Sequence, residues 1–124
     1  MDNKRIDAGI EYKHSGCNCC QAVLMAYSDV LNKAKNELMN LGSGFGLGMG
    51  CMEGSCGALC GAIIAAGLLD EGKTPRANSK QILNSFKEKC GATICKDIKG
   101  VETGNMLCSC DDCVKNAVLA LAES

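Results

Sequence analysis

Between Asn18 and Leu41 the apolar positions recur at helical spacing. Val23, Tyr27, Val30, Leu31, Ala34, Leu38 and Leu41 fall close to a 3.6-residue period, with Lys33, Lys35, Asn36 and Glu37 in the spare positions. This pattern predicts one amphipathic helix ending at Gly42, since glycine readily takes the conformation that closes a helix. The next stretch, Gly42 to Gly50, has glycine at every second position, which is incompatible with a regular helix. A second helix is expected from Ser55 as N-cap to Leu69. It is apolar nearly all round (Ala58, Leu59, Ala62, Ile63, Ile64, Ala65, Ala66, Leu68, Leu69), so it should be the buried, central one. Gly57, Gly61 and the alanines would let neighbouring helices approach it closely.

Beyond Pro75 a third helix is expected from about Ser79 to Lys89, with Ile82, Leu83 and Phe86 facing inward and Gly91 stopping it. Ala92 to Ile98 has room for one more helical turn, and Gly100 to Leu107 reads as a loop. A last helix, capped by Ser109 or Asp111, carries Val114, Ala117, Val118 and Leu121. No segment alternates as a strand would. The expected architecture is all-α: a single domain over residues 1–124, a compact helical bundle of four to five helices with a glycine-rich crossover.

Charge narrows the range of partners. The chain has 13 Lys and Arg against 14 Asp and Glu, a formal net charge of −1, and 3% aromatic residues. Neither a basic patch for phosphates nor stacking platforms for bases can be assembled, so nucleic acid is not an expected partner. No apolar run approaches the roughly 20 residues of a membrane helix, so membrane insertion is not expected either. The first residues lack the apolar core of a secretion signal, which points to the cytoplasm.

The 11 cysteines change the picture. In a reducing cytoplasm they would remain thiols rather than form a disulfide scaffold. They fall in four groups: Cys17, Cys19 and Cys20; Cys51, Cys56 and Cys60; Cys90 and Cys95; Cys108, Cys110 and Cys113. In at least three groups a cysteine stands at or just before an expected helix start. There, free backbone N–H groups and the helix dipole stabilise thiolate, the form that binds metals and attacks disulfides. If the fold gathers those starts, they form an electropositive, thiolate-rich pocket.

Gly16-Cys17-Asn18-Cys19-Cys20-Gln21-Ala22-Val23, the glycine run and Cys56-Gly57-Ala58-Leu59-Cys60-Gly61 together resemble the redox-active family named for its C-GCAxxG-C-C pattern. The resemblance runs from about Ser15 to Ala117. It implies site thiols at Cys19, Cys56, Cys95 (in Thr93-Ile94-Cys95-Lys96-Asp97-Ile98) and Cys113 (in Cys113-Val114-Lys115-Asn116-Ala117). Cys20 stands where the family carries alanine, so Cys19 and Cys20 compete for the first position. The resemblance also implies, as partner, a redox protein or a transporter or oxidoreductase system.

Three chemistries remain open. Four thiolates suit an iron–sulfur cluster and electron transfer, with Cys19, Cys56, Cys95 and Cys113 as ligands. Cys20 and Cys60 are the expected supporting thiols, Cys60 lying one helical turn beyond Cys56. Dithiol–disulfide chemistry is the second, through Cys17 and Cys20 or Cys110 and Cys113, although no βαβ context surrounds either pair. Zinc or another soft metal is the third; with His14 the sole histidine, such a site would be nearly all thiolate. One histidine supports no Ser–His–Asp order, and whether the chain is an enzyme stays open.

Overall fold

The computed structural model describes residues 2–73 and 75–123. Seven α-helices follow in order among them: α1 (Asp2–His14), α2 (Cys19–Ala26), α3 (Lys35–Gly42), α4 (Gly57–Asp70), α5 (Pro75–Cys90), α6 (Cys95–Lys99) and α7 (Cys110–Ala122). Among the described residues the only β pairing is an isolated antiparallel bridge between Ser55 and Ile94. The expected all-α class holds, with more and shorter helices than the apolar period suggested.

The helix anticipated from Asn18 to Leu41 is two helices. α2 stops at Ala26, and Asn32, at φ 57°, turns the connection to α3. The apolar period survives the break because Tyr27 and Leu31 remain buried inside the turn. The Tyr27 hydroxyl donates to the Val118 carbonyl at 3.2 Å, tying the turn to α7. Arg5 donates to the Ala26 carbonyl and pairs with Asp29, placing a cation at the negative end of α2. Helix α1 carries only a weak apolar stripe and was not anticipated. Buried Ile6 and Gly9 seat it, Gly9 so closely that an added Cβ would come 2.9 Å from Val114. Helix α5 starts at Pro75 rather than near Ser79, proline being well tolerated in a first helical turn.

Helices α2 and α4 form the centre, and α7 packs against α1, α4 and α5. Leu24, Leu59, Ile82, Phe86, Val114 and Val118 fill the core. The α2–α4 contact depends on two missing side chains. A Cβ at Gly61 would stand 2.8 Å from the Cys20 carbonyl, and one at Gly57 2.7 Å from the Phe45 carbonyl. Both obstacles are backbone, so they cannot swing aside.

The glycine run crosses from α3 to α4 through an irregular turn, Gly48–Met52; Leu47 just before it and Met49 and Met52 within it have positive φ. Gly48 is buried there, and a Cβ would meet that of Cys95 at 2.5 Å. The crossover thus brings bare backbone against α6.

The two buried glycines differ sharply from Gly67, which has open space around its Cα. Gly61→Ala should cost about 1–3 kcal/mol of stability through overpacking. Gly67→Ala should add up to about 1 kcal/mol through helix propensity. Thermal unfolding of the two variants beside the parent checks both signs.

Candidate functional site

Four cysteines stand at the starts of four different helices. Cys19, Cys95 and Cys110 are the first residues of α2, α6 and α7, and Cys56 is the N-cap of α4. Each start is fixed by its own local chemistry. At α2, the Asn18 side chain accepts the Gln21 N–H at 2.8 Å while the Gln21 side chain accepts the Asn18 N–H at 3.0 Å, a complete capping box. The Asn18 amide also donates to the Gly42 carbonyl, holding the end of α3 beside the start of α2. Ser109 caps α7 by accepting the Asp112 N–H. The starts of α4 and α6 are tied together: the Cys56 N–H donates to the Thr93 carbonyl at 2.7 Å, and the Cys95 N–H to the Gly54 carbonyl at 2.9 Å. The Ser55–Ile94 bridge therefore sets Cys56 and Cys95 side by side.

All four helix-start cysteines line one cavity of about 200 Å³, together with Lys13, Asn18, Leu47, Gly48, Gly57 and Lys99. Cys56 and Cys95 are buried, whereas Cys19 and Cys110 are half-buried and Leu47 is exposed. Larger concavities exist, such as the groove beside Arg5, Tyr12 and Asp29, but no cysteine lines it. Among the described residues, no three of the cavity's sulfurs lie within 4.8 Å of one another. The cavity is thus wider than a preformed site for one metal ion, whose thiolate bonds are about 2.3 Å long.

The electrostatics favour negative charge at one point above all. The Cys56 thiol is lowered to about 7, first by a hydrogen bond from Cys113, against burial, then by the Ala58 and Leu59 N–H groups and nearby Lys99. Cys19 is pushed up to about 12 by burial and by the charges of Cys110 and Cys56. Cys95 is raised by burial and by Cys56. Lys99 donates to the Cys110 sulfur at 2.9 Å. Burial works against the Lys99 charge, but Cys110, Cys113 and Cys19 outweigh it and raise the amine to about 12. One thiolate is easy to form here and further ones resist until a cation arrives, so cation binding releases protons.

Behind this cavity lies a tighter group. The sulfurs of Cys90, Cys108 and Cys113 all fall within 4.8 Å of one another, and all three residues are buried. Cys90 and Cys108 are 3.3 Å apart, and the Asn116 amide donates to both, at 3.2 and 3.5 Å. Cys90 is lowered to about 6, chiefly by hydrogen bonding from Cys113. Cys113 itself is driven far up by donating toward Cys56 and Cys90 and by burial. Its single S–H serves one of them at a time, which links the two thiol groups through Cys113.

Of the expected site thiols, Cys19, Cys56 and Cys95 line the cavity, while Cys113 stands one layer behind, against Cys56. Cys20 is fully buried and Cys60 half-buried; burial and the Cys60 charge raise Cys20, burial and the Cys56 charge raise Cys60, and neither lines the cavity. His14 is exposed and paired with Asp111 at 2.7 Å. Lys13 and Lys99 were not anticipated, nor was the pairing of Cys90 with Cys108; Cys110 was expected only as a dithiol partner of Cys113, not as a thiol of this cavity. The signal for Cys110 was present: it follows Ser109, the residue read as a possible cap.

Seven thiols, those of Cys17, Cys19, Cys20, Cys60, Cys95, Cys108 and Cys113, are raised in the fold, and two, Cys56 and Cys90, are lowered. A raised thiol stabilises the fold below its unfolded value, about 8.5, and that contribution is lost as pH climbs toward the folded value. A lowered thiol does the reverse, its contribution fading as pH falls through about 7 at Cys56 and about 6 at Cys90. The reduced, metal-free protein should therefore be most stable at about pH 8 and lose ground by about pH 9.5. Urea midpoints measured across that range under reductant check the direction; a midpoint that climbs steadily with pH would contradict it.

Residues 17–124 match the family model described as "Putative redox-active protein (C_GCAxxG_C_C)". No curated protein and no solved structure matches the chain. The Asn18–Gln21 capping box, the close-packed glycines after Cys56 and the converging thiols all fall inside the matched stretch, and the chain belongs to the C_GCAxxG_C_C family of redox-active proteins.

Proposed function

We propose that this protein holds an iron–sulfur cluster in the helix-start cavity and exchanges single electrons with a partner protein. The observation that carries the reading is the convergence of Cys19, Cys56, Cys95 and Cys110 on one cavity of about 200 Å³. The donor set suits the group. Thiolate is the ordinary ligand of such clusters, and four are available. Their spread exceeds that of a single-ion site, which favours a polynuclear occupant. Helix-start N–H groups with Lys13 and Lys99 offset the negative charge that four thiolates bring.

Cys19, Cys56 and Cys95 supply three ligands in this reading. The first turn of α7 supplies the fourth, and Cys110 is favoured over Cys113 because it lines the cavity. Cys113 then tunes the site from behind through its hydrogen bond to Cys56. A bound cluster supplies reversible one-electron chemistry. The chain's own share is to shield the floor at Cys56 and Cys95 and to present exposed Leu47 and Met49 as an apolar contact for the partner. All eleven thiols are unpaired, which suits a reducing compartment such as the cytoplasm. No helix of the described residues is long and apolar enough to cross a membrane.

Protein purified without oxygen should be brown, with iron and acid-labile sulfide in matching amounts. Cys56→Ser should lose both while keeping its helical circular dichroism, and Cys51→Ser, an exposed cysteine outside the cavity, should keep both. Cys110→Ser should lose the cluster; Cys113→Ser should keep it with a shifted potential. Colourless protein with stoichiometric zinc, or metal-free protein whose thiols disappear in pairs on mild oxidation, would overturn the reading.

A further inference from the structure

We infer that Cys90, Cys108 and Cys113 form a second metal site, one that takes a single monovalent copper ion in three-sulfur coordination. The inference does not rest on the cluster reading, because Cys90, Cys108 and Cys113 lie outside the cavity lining. Cys90 and Cys108 also fall outside the four cysteines of the family pattern.

The geometry is that of a single-ion site. Three sulfurs around one ion, with metal–thiolate bonds of about 2.3 Å, stand about 4 Å apart. Here all three lie within 4.8 Å of one another, and Cys90 and Cys108, at 3.3 Å, need only part slightly to admit the ion. They come from three places: Cys90 is the last residue of α5, Cys108 ends the loop before α7, and Cys113 lies in the first turn of α7. Exposures of 2%, 6% and 0% leave little room for water as a further ligand.

Among the described residues no further histidine, cysteine or carboxylate joins the three sulfurs within 4.8 Å; Asp112 comes near enough for its charge to raise Cys90 and Cys108, but not into that group. Asn116 turns its amide N–H toward Cys90 and Cys108, as a second-layer group does toward thiolates. Ser109 is occupied in capping α7. His14 lies at the surface against Asp111. Cys56 touches Cys113 but is not within 4.8 Å of both other sulfurs. Zinc in structural sites takes four ligands in a tetrahedron, whereas soft monovalent copper is selected by thiolates. Three buried sulfurs with little room for water therefore discriminate toward copper. Copper arrives and stays as Cu(I), so no electron moves; thiol protons leave to solvent as Cu–S bonds form. The resulting negative charge faces the Asn116 N–H, the amino end of α7 and Lys99, which feels Cys113, and these work against the Asp112 carboxylate, which opposes charge at Cys90 and Cys108. Met106, an exposed thioether two residues before Cys108, offers a soft first contact on the way in.

The test uses the full-length protein, purified without oxygen and retaining its iron content. It is titrated with Cu(I) held by a chromophoric competing chelator. One equivalent should transfer to the protein, with an X-ray absorption spectrum showing three sulfur neighbours. Cys90→Ser and Cys108→Ala should each weaken copper binding roughly a hundredfold or more, with iron and sulfide content unchanged. Unchanged iron and circular dichroism exclude misfolding as the cause, and either variant suffices if the other does not fold. Cys19→Ser should lose iron yet keep copper, which separates failure of this site from failure of the cavity. No transfer from the chelator, copper retained by the Cys90→Ser/Cys108→Ala double variant, four-sulfur coordination, or preference for zinc at equal availability would each overturn the proposal.

Discussion

The whole arrangement depends on how closely α4 can lie against the first turn of α2. Gly57 and Gly61 face the Phe45 and Cys20 carbonyls at distances that no Cβ tolerates. Removing two side chains forfeits some apolar contact and some helix propensity. What it gains is position: the amino ends of α2 and α4 share one end of the bundle, and Cys19 and Cys56 arrive at one cavity. The Cys-Gly-Ala-x-x-Gly motif is therefore a packing device as much as a chemical one. It supplies one thiol, and its glycines create the place where that thiol meets the others.

Once the helix ends are gathered, their electrostatics follow from elementary terms. Every helix start presents unsatisfied N–H groups, and here four starts contribute with two lysines. Burial opposes ionisation at the same time, so Cys19 and Cys95 rise while Cys56, with the best hydrogen bonds, falls. The balance yields a site reluctant to hold several bare negative charges and suited to hold them around a cation. Cys113 stands between this layer and the buried Cys90–Cys108 pair, donating toward both Cys56 and Cys90. Thiols in two layers, one reaching the surface and one sealed, are what eleven cysteines accomplish in so small a bundle.

Much of this was legible in the sequence. The all-α class followed from period and glycine placement, and the buried character of α4 from its lack of a polar face. The cysteine-bearing start of α7 was readable from Ser109, whose capping role the hydrogen bond bears out, whereas α4 is capped at Cys56 rather than at the expected Ser55. What escaped had physical reasons. The break after α2 was masked because Tyr27 and Leu31 stay buried through a turn and preserve the helical period. Helix α1 has too little amphipathicity to read, being held by Gly9 and Ile6 rather than by a stripe. The place of Cys110 depends on which of two α7 cysteines points outward, and the contact of Cys90 with Cys108 depends on how α5 and α7 pack. Neither can be seen without three-dimensional neighbours. Cys19 and Cys20 are adjacent in sequence, yet one lines the cavity and the other lies in the core.

The most direct measurement is anomalous diffraction at the iron absorption edge from crystals grown without oxygen. Iron within bonding distance of Cys19, Cys56, Cys95 and Cys110 is the expected result. Iron absent from that cavity, or found among other side chains, would contradict the claim that these converging helix starts were assembled to hold it.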